Sequence, residues 1–207
     1  MLRGTEALTL EVGAALDAQR AREIVPQRFE LDIADDVARG SLLLFRMSGL
    51  SMNALPFASF DYSEALWRIS VRVDDELAWF VVACDLDSAL VRFVGARLIR
   101  YPTRAARIVG SEARWRIDAG GVSADLRVSD IEPAPVPTLR RVFVGATKKN
   151  VYEIPWDEAP PARARLARVT VAEPALVRST FGDGARLDET GVVHRGRIHM
   201  CGFAKRL

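Results

Sequence analysis

Two strand-like runs, SEALWRISVRV at 63–73 and LAWFVVACDL at 77–86, meet at Asp74-Asp75-Glu76. Two long β-type segments on either side of a short acidic cluster predict a hairpin. So much apolar surface on one hairpin demands more strands beside it. They are present. TEALTLEV (5–12) sets Leu8, Leu10 and Val12 against Ala7 and Thr9, as in a half-buried strand, and SLLLFRMS (41–48) is an apolar run too short for a confident helix. ARIVG, ARWRIDAGGVSADLRV with an Ala-Gly-Gly turn, and RRVFVG follow the middle of the chain. From ARARLARVTV to GVVHRGRIHMCGFA the tail reads as further strands.

Two helices interrupt this pattern. Asp17 opens DAQRAREI, which Pro26 closes. Asp87 is placed to cap a second helix whose Leu90, Phe93, Val94, Arg97 and Leu98 share one side, and Pro102 stops it. PAPVP (133–137) is a stiff connector, too short to separate two domains, so residues 1–207 are expected to form one domain. The expected fold class is α+β and mainly β: a β-barrel or cone with a few short helices. Closure removes exposed strand edges and leaves an interior that side chains or a ligand must fill.

The charge balance narrows the range of partners. With 29 basic against 27 acidic side chains, no strong field exists to attract nucleic acid or an acidic membrane surface. All but three of the basic residues are arginine, the exceptions being Lys148, Lys149 and Lys205. An amine able to condense with a carbonyl is therefore scarce. Two cysteines make no disulfide framework, no apolar stretch has the length of a membrane span, and the first residues lack a signal-peptide core. A cytoplasmic protein is expected, with no nucleic acid and no membrane among its partners.

Several chemistry-bearing residues have plain structural readings. Lys148-Lys149 lies in GATKKN, a turn between strands. His194, His199 and Cys201 suggest a metal, but in a regular strand His194 faces away from the other two, which leaves too few ligands. No metal or cofactor is expected. Phosphate-binding glycine loops, Ser-His-Asp order and Cys-x-x-Cys are all lacking. Cys84 reads as a small buried apolar residue.

Three segments stand in a telling order: Ile24-Val25-Pro26-Gln27-Arg28-Phe29-Glu30-Leu31-Asp32, then Asp61-Tyr62-Ser63-Glu64, then Gly95-Ala96-Arg97-Leu98 leading to Tyr101-Pro102-Thr103-Arg104. Together they resemble the acetoacetate decarboxylase family and in particular its bacterial relatives with an Arg-x-x-Tyr-Pro segment. The resemblance covers the first half of the chain. It implies that the residue after Tyr-Pro sits where the family carries its Schiff-base lysine, with a second lysine following. Here those positions hold Thr103 and Arg104, so an iminium cannot form there and acetoacetate decarboxylation is not expected. Glu64 matches the family's carboxylate and is the candidate acid–base residue. Arg104, Thr103, Tyr101 and Arg97 are the candidate ligand-binding residues, since a guanidinium can grip a carboxylate and a hydroxyl can share one hydrogen bond. The resemblance thus implies binding or transformation of a small keto or hydroxy acid by a self-associating protein. The alternative is a non-catalytic ligand-binding or interaction protein that keeps the scaffold.

Overall fold

The computed structural model describes residues 1–52, 55–135, 140–147, 150–159 and 163–207. Its strands are β1 (Leu2–Asp17), β2 (Glu30–Leu31), β3 (Ile33–Ala34), β4 (Val37–Met52), β5 (Leu55–Val73), β6 (Glu76–Leu86), β7 (Thr103–Gly110) and β8 (Arg114–Ala119). They continue as β9 (Val122–Ala134), β10 (Arg141–Thr147), β11 (Asn150–Ile154), β12 (Trp156–Ala159), β13 (Ala164–Glu173), β14 (Arg186–His194), β15 (Arg197–Cys201) and β16 (Lys205–Arg206). Helices α1 (Ala18–Ile24), α2 (Ala89–Val94) and α3 (Ala175–Phe181) are short, and a π-helical turn, Gly95–Ile99, extends α2. None of the helices is long and apolar enough to cross a membrane.

Nine strands close a barrel in the order β6-β7-β8-β9-β13-β14-β1-β4-β5, with β5 returning to β6. The expected hairpin is the β5–β6 pair, and Asp74 and Asp75 both adopt positive φ, 53° and 64°. That geometry matches the right-handed twist of the strands, and aspartate tolerates it better than most residues. All nine strands feed one interior core, from Leu10 on β1 and Trp67 on β5 to Trp115 on β8 and Val169 on β13. The barrel interior is filled with side chains.

A second core lies on the opposite face of β4, β5 and β6. Leu42 and Leu44 enter the barrel while Leu43 and Phe45 point the other way; Phe80 and Ala83 enter it while Val81 and Cys84 do not. Burial on both faces explains why SLLLF and FVVAC are continuous apolar runs. Two strands split to build this layer. The first part of β1 pairs with β15 and its later part with β14. Similarly, β6 pairs with β10 over Ala78–Val81 and with β7 over Cys84–Leu86. The outer strands β12 and β15 on one side, and β10, β11 and β16 on the other, flank the second core, with α2 and the π-helical turn over it.

Four expectations need correction. Ser88 caps α2, accepting from the Val91 N–H, while the Asp87 carboxylate accepts from the Ser63 N–H and ties the helix to β5. The predicted apolar side of α2 is turned outward, with Leu90, Phe93 and Leu98 exposed and Val91, Gly95 and Ile99 buried. The extra residue in each hydrogen-bonded loop of the π-helical turn rotates the later residues away from a 3.6-residue stripe. A third helix, α3, interrupts the tail; at seven residues it is too short for a periodic signal, although Pro174 and Gly182 bracket it. Finally, His194 and His199 do not share one regular strand, because the turn at Gly196, φ 72°, separates β14 from β15. Lys148-Lys149 and part of PAPVP fall outside the described residues.

Candidate functional site

The Tyr-Pro segment gains its geometry from the end of the π-helical turn. Arg100 is left-handed, φ 63°, and the Tyr101 N–H donates to the Gly95 carbonyl at 3.2 Å. The Pro102 carbonyl then accepts from the Cys84 N–H at 3.1 Å, which docks the segment on β6. Tyr101 is thereby turned into the second core, where it borders a small cavity.

That cavity leaves about 30 Å³ open to the centre of a water molecule, room for about two waters. Glu64, Tyr62, Tyr101, His199, Cys201 and Trp156 supply its polar and amphipathic lining, and Leu2, Phe45, Leu50, Leu86 and the α2 segment supply its apolar walls. None of the described lining residues is an arginine or a lysine. Trp156 also borders an open groove lined by Arg140, Arg141 and Glu153.

Glu64 is 4% exposed and sits on β5 between Phe45 of β4 and Leu86 of β6. Burial pushes its carboxyl up to about 7, while the Cys84 hydrogen bond and the charge of His199 pull the other way. The Cys84 thiol donates to Glu64 Oε1 at 3.2 Å. Burial, and then the Glu64 charge, raise the Cys84 thiol well above its ordinary range, so it stays protonated. The Tyr62 and Tyr101 phenols are raised for the same leading reason, loss of water. Both are therefore neutral donors at physiological pH. The Tyr101 hydroxyl is buried and has no hydrogen-bond partner among the described residues. A buried donor left unpaired costs about 1–3 kcal/mol.

The other sequence-derived candidates lie elsewhere. Arg104 points to the barrel side of the sheet, where its Nε and Nη2 donate to Asp85 Oδ1 and Oδ2 at 2.6 and 2.7 Å, and Nη2 also reaches Thr180 Oγ1 at 3.1 Å. Asp85 is fully buried and accepts a further bond from Trp67 Nε1 at 2.6 Å. Thr103 does not line the cavity; its methyl group lies behind Gly95, 3.4 Å from where a Cβ there would stand. Arg97 is exposed, its guanidinium 5.6 Å from the centre of the Phe93 ring. Glu64 and Tyr101 are thus together, while Thr103, Arg104 and Arg97 are apart from them.

Sequence reasoning did not reach Glu6. It is fully buried on β1, and its carboxylate stands 3.3 Å from His199 Nδ1 and 4.0 Å from His194 Nδ1. Its place among alternating residues of a buried strand is a usable signal, because an acid on an apolar face needs a partner.

No protein-family model matches the chain, and no curated protein sequence does. Solved structures do. An acetoacetate decarboxylase from Legionella pneumophila superposes with a TM-score of 0.74 at 15% identity, covering 100% of this chain and 86% of that one. An acetoacetate decarboxylase-like enzyme from Sphingomonas wittichii gives 0.69 at 16% identity, covering 100% and 92%. The enduracididine biosynthesis enzyme MppR in complex with pyruvate gives 0.67 at 13% identity, covering 100% and 90%. The chain has the acetoacetate decarboxylase-like fold over its full length, including the half that carries no sequence resemblance.

Proposed function

We propose that this chain, on an acetoacetate decarboxylase-like scaffold, takes the carbonyl end of a small keto or hydroxy acid into the Glu64 cavity and moves protons on it without covalent capture. One observation carries the reading: a buried carboxyl, pushed up to about 7 by burial, and a buried phenol with no hydrogen-bond partner among the described residues border the same small cavity. A pKa near the working pH lets a group take a proton and return it. Tyr101 donates to the ligand's carbonyl oxygen and Glu64 serves as the acid–base group at the neighbouring carbon. With Thr103 where the resemblance places an amine, polarisation of the carbonyl rests on these hydrogen bonds. The ligand's carboxylate is assigned to the Trp156 side, toward the groove that Arg140 and Arg141 border. The neighbour that holds pyruvate supports a small keto acid as the ligand class.

The tightness of the cavity, about 30 Å³, favours a second reading, a scaffold that holds a small ligand without turnover. Hydrogen–deuterium exchange separates the two. In D2O, proton NMR follows the hydrogens next to the carbonyl of pyruvate, 2-oxobutyrate and acetoacetate. Exchange that falls about 100-fold or more in Glu64→Gln supports proton transfer. Saturable binding with no exchange supports the holding scaffold, and neither binding nor exchange across the three acids overturns the assignment.

A further inference from the structure

We infer that His199, held by Glu6, is a second proton-transfer group of the cavity, working with Glu64; this rests on the reading of the cavity as a site for a small carbonyl compound. The groups are ordered from the cavity inward. His199 borders the cavity and Glu6 stands behind it, with Oε1 3.3 Å from Nδ1 of the imidazole. Behind that, the Thr9 hydroxyl donates to Glu6 Oε2 at 2.9 Å, and His194 Nδ1 lies 4.0 Å from the same oxygen.

A carboxylate removed wholly from water is costly unless charge or hydrogen bonds compensate it. Glu6 has 0% exposure, on a strand whose Leu2 and Leu8 are apolar and buried. An apolar residue would satisfy packing alone. A carboxylate on Nδ1 does something more specific: it orients the ring, selects the tautomer with hydrogen on Nδ1, and stabilises positive charge when Nε2 takes a proton. The ring is also clamped. Trp156 meets it edge to face with centroids 4.1 Å apart, and Phe45 lies 6.2 Å away.

Among the described residues, the titratable and charged groups around the Glu6–His199 pair include Tyr62 and Glu64 from β5, Cys84 from β6, Tyr101 after the π-helical turn, Cys201 and the buried Arg197 on β15, the latter opposite Glu6 in the strand register, and His194 from β14. Among them the Glu64 carboxyl is raised to about 7, and the charges of Glu64 and His199 act on one another. In the step assigned here, ionised Glu64 removes a proton from the carbon beside the ligand's carbonyl. The C–H electron pair becomes the enol double bond, and the carbonyl oxygen takes the proton of the imidazolium. Reversal returns a proton from Glu64 to the same carbon and the enol's O–H proton to His199, which restores both groups, so protons and electrons balance. His199 touches the ligand, and Glu6 acts through it as a positioning residue.

The chain has two histidines, so 15N-histidine NMR resolves each ring. In the folded protein the His199 ring is expected to titrate reversibly, to shift when pyruvate is added, and to move its midpoint to lower pH in Glu6→Gln. A ring that does not titrate before unfolding, or a midpoint unchanged in Glu6→Gln, overturns the inference without any turnover measurement. In the exchange assay, His199→Gln is expected to lose about 100-fold or more at unchanged melting temperature, and Glu6→Gln to shift the pH profile. If the wild type exchanges pyruvate, Glu64→Gln abolishes it and His199→Gln keeps the full rate, the His199 role fails while the Glu64 reading stands. If pyruvate neither binds nor exchanges, the Glu64 reading fails, and the titration still decides whether Glu6 and His199 form the pair.

Discussion

Replacing Arg104 with methionine separates a structural role from a ligand-binding one. Asp85 is fully buried and Arg104 is 36% exposed, so the pair is closed on one side and open to water on the other. Removing the guanidinium takes away two charged bonds, of 2.6 and 2.7 Å, and leaves the carboxylate with the Trp67 N–H. Breaking a buried pair from one side costs about 3–5 kcal/mol. Water reaching the exposed flank offsets part of this, so about 3 kcal/mol is the expected loss. For a chain of this size that lowers the melting temperature by about 6–12 °C. Calorimetry at pH 7 measures it, and Asp85→Asn with Arg104→Met tests the cause. The amide oxygen of the double variant still accepts from Trp67 and no buried charge is stranded, so most of the loss should return. An Arg104→Met protein with an unchanged melting temperature that no longer binds a small acid refutes the structural assignment.

Three further outcomes follow from the cavity. The Glu64 carboxyl rises from 4.5 to about 7 on folding, so between these values the native state holds more protons than the unfolded state and stability falls as pH increases. The fall is on the order of 3 kcal/mol and is complete above about pH 7; urea titrations from pH 4 to 8 should show it in the wild type and not in Glu64→Gln. Tyr101→Phe removes a buried hydroxyl with no partner among the described residues, so it should leave stability unchanged or raise it by about 1 kcal/mol while weakening small-acid binding about ten-fold, as calorimetric titration would read. Cys84 and Cys201 are 0% and 3% exposed, so both thiols should resist Ellman's reagent at pH 8 until the protein opens. Immediate reaction of either would contradict the burial of these thiols.

The barrel was legible because its evidence is local. Alternation in TEALTLEV, the Asp74-Asp75 turn and the Ala-Gly-Gly turn each reflect a backbone preference, and each appears in the structure as a strand or a turn. The side of the sheet that a residue faces is a long-range fact. Nothing within YPTRAA says that Tyr101 enters one core while Arg104 answers Asp85 on the other side; parallel pairing of β7 with β6 decides it. The apolar run SLLLF read as a buried strand, yet nothing in it said that its second face would carry the cavity. Glu6 and His199 are 193 positions apart and meet only because β1 pairs with β15. His199 stood out in the sequence as a possible metal ligand; Glu6 did not, and no local pattern joins the two.

The most direct test of proton chemistry without covalent capture is a titration with 13C-labelled pyruvate, followed by borohydride and intact-mass measurement. Saturable binding that weakens in Glu64→Gln and Tyr101→Phe is expected, with the protein mass unchanged after reduction. A mass gain trapped on a lysine, or binding indifferent to both substitutions, would contradict it.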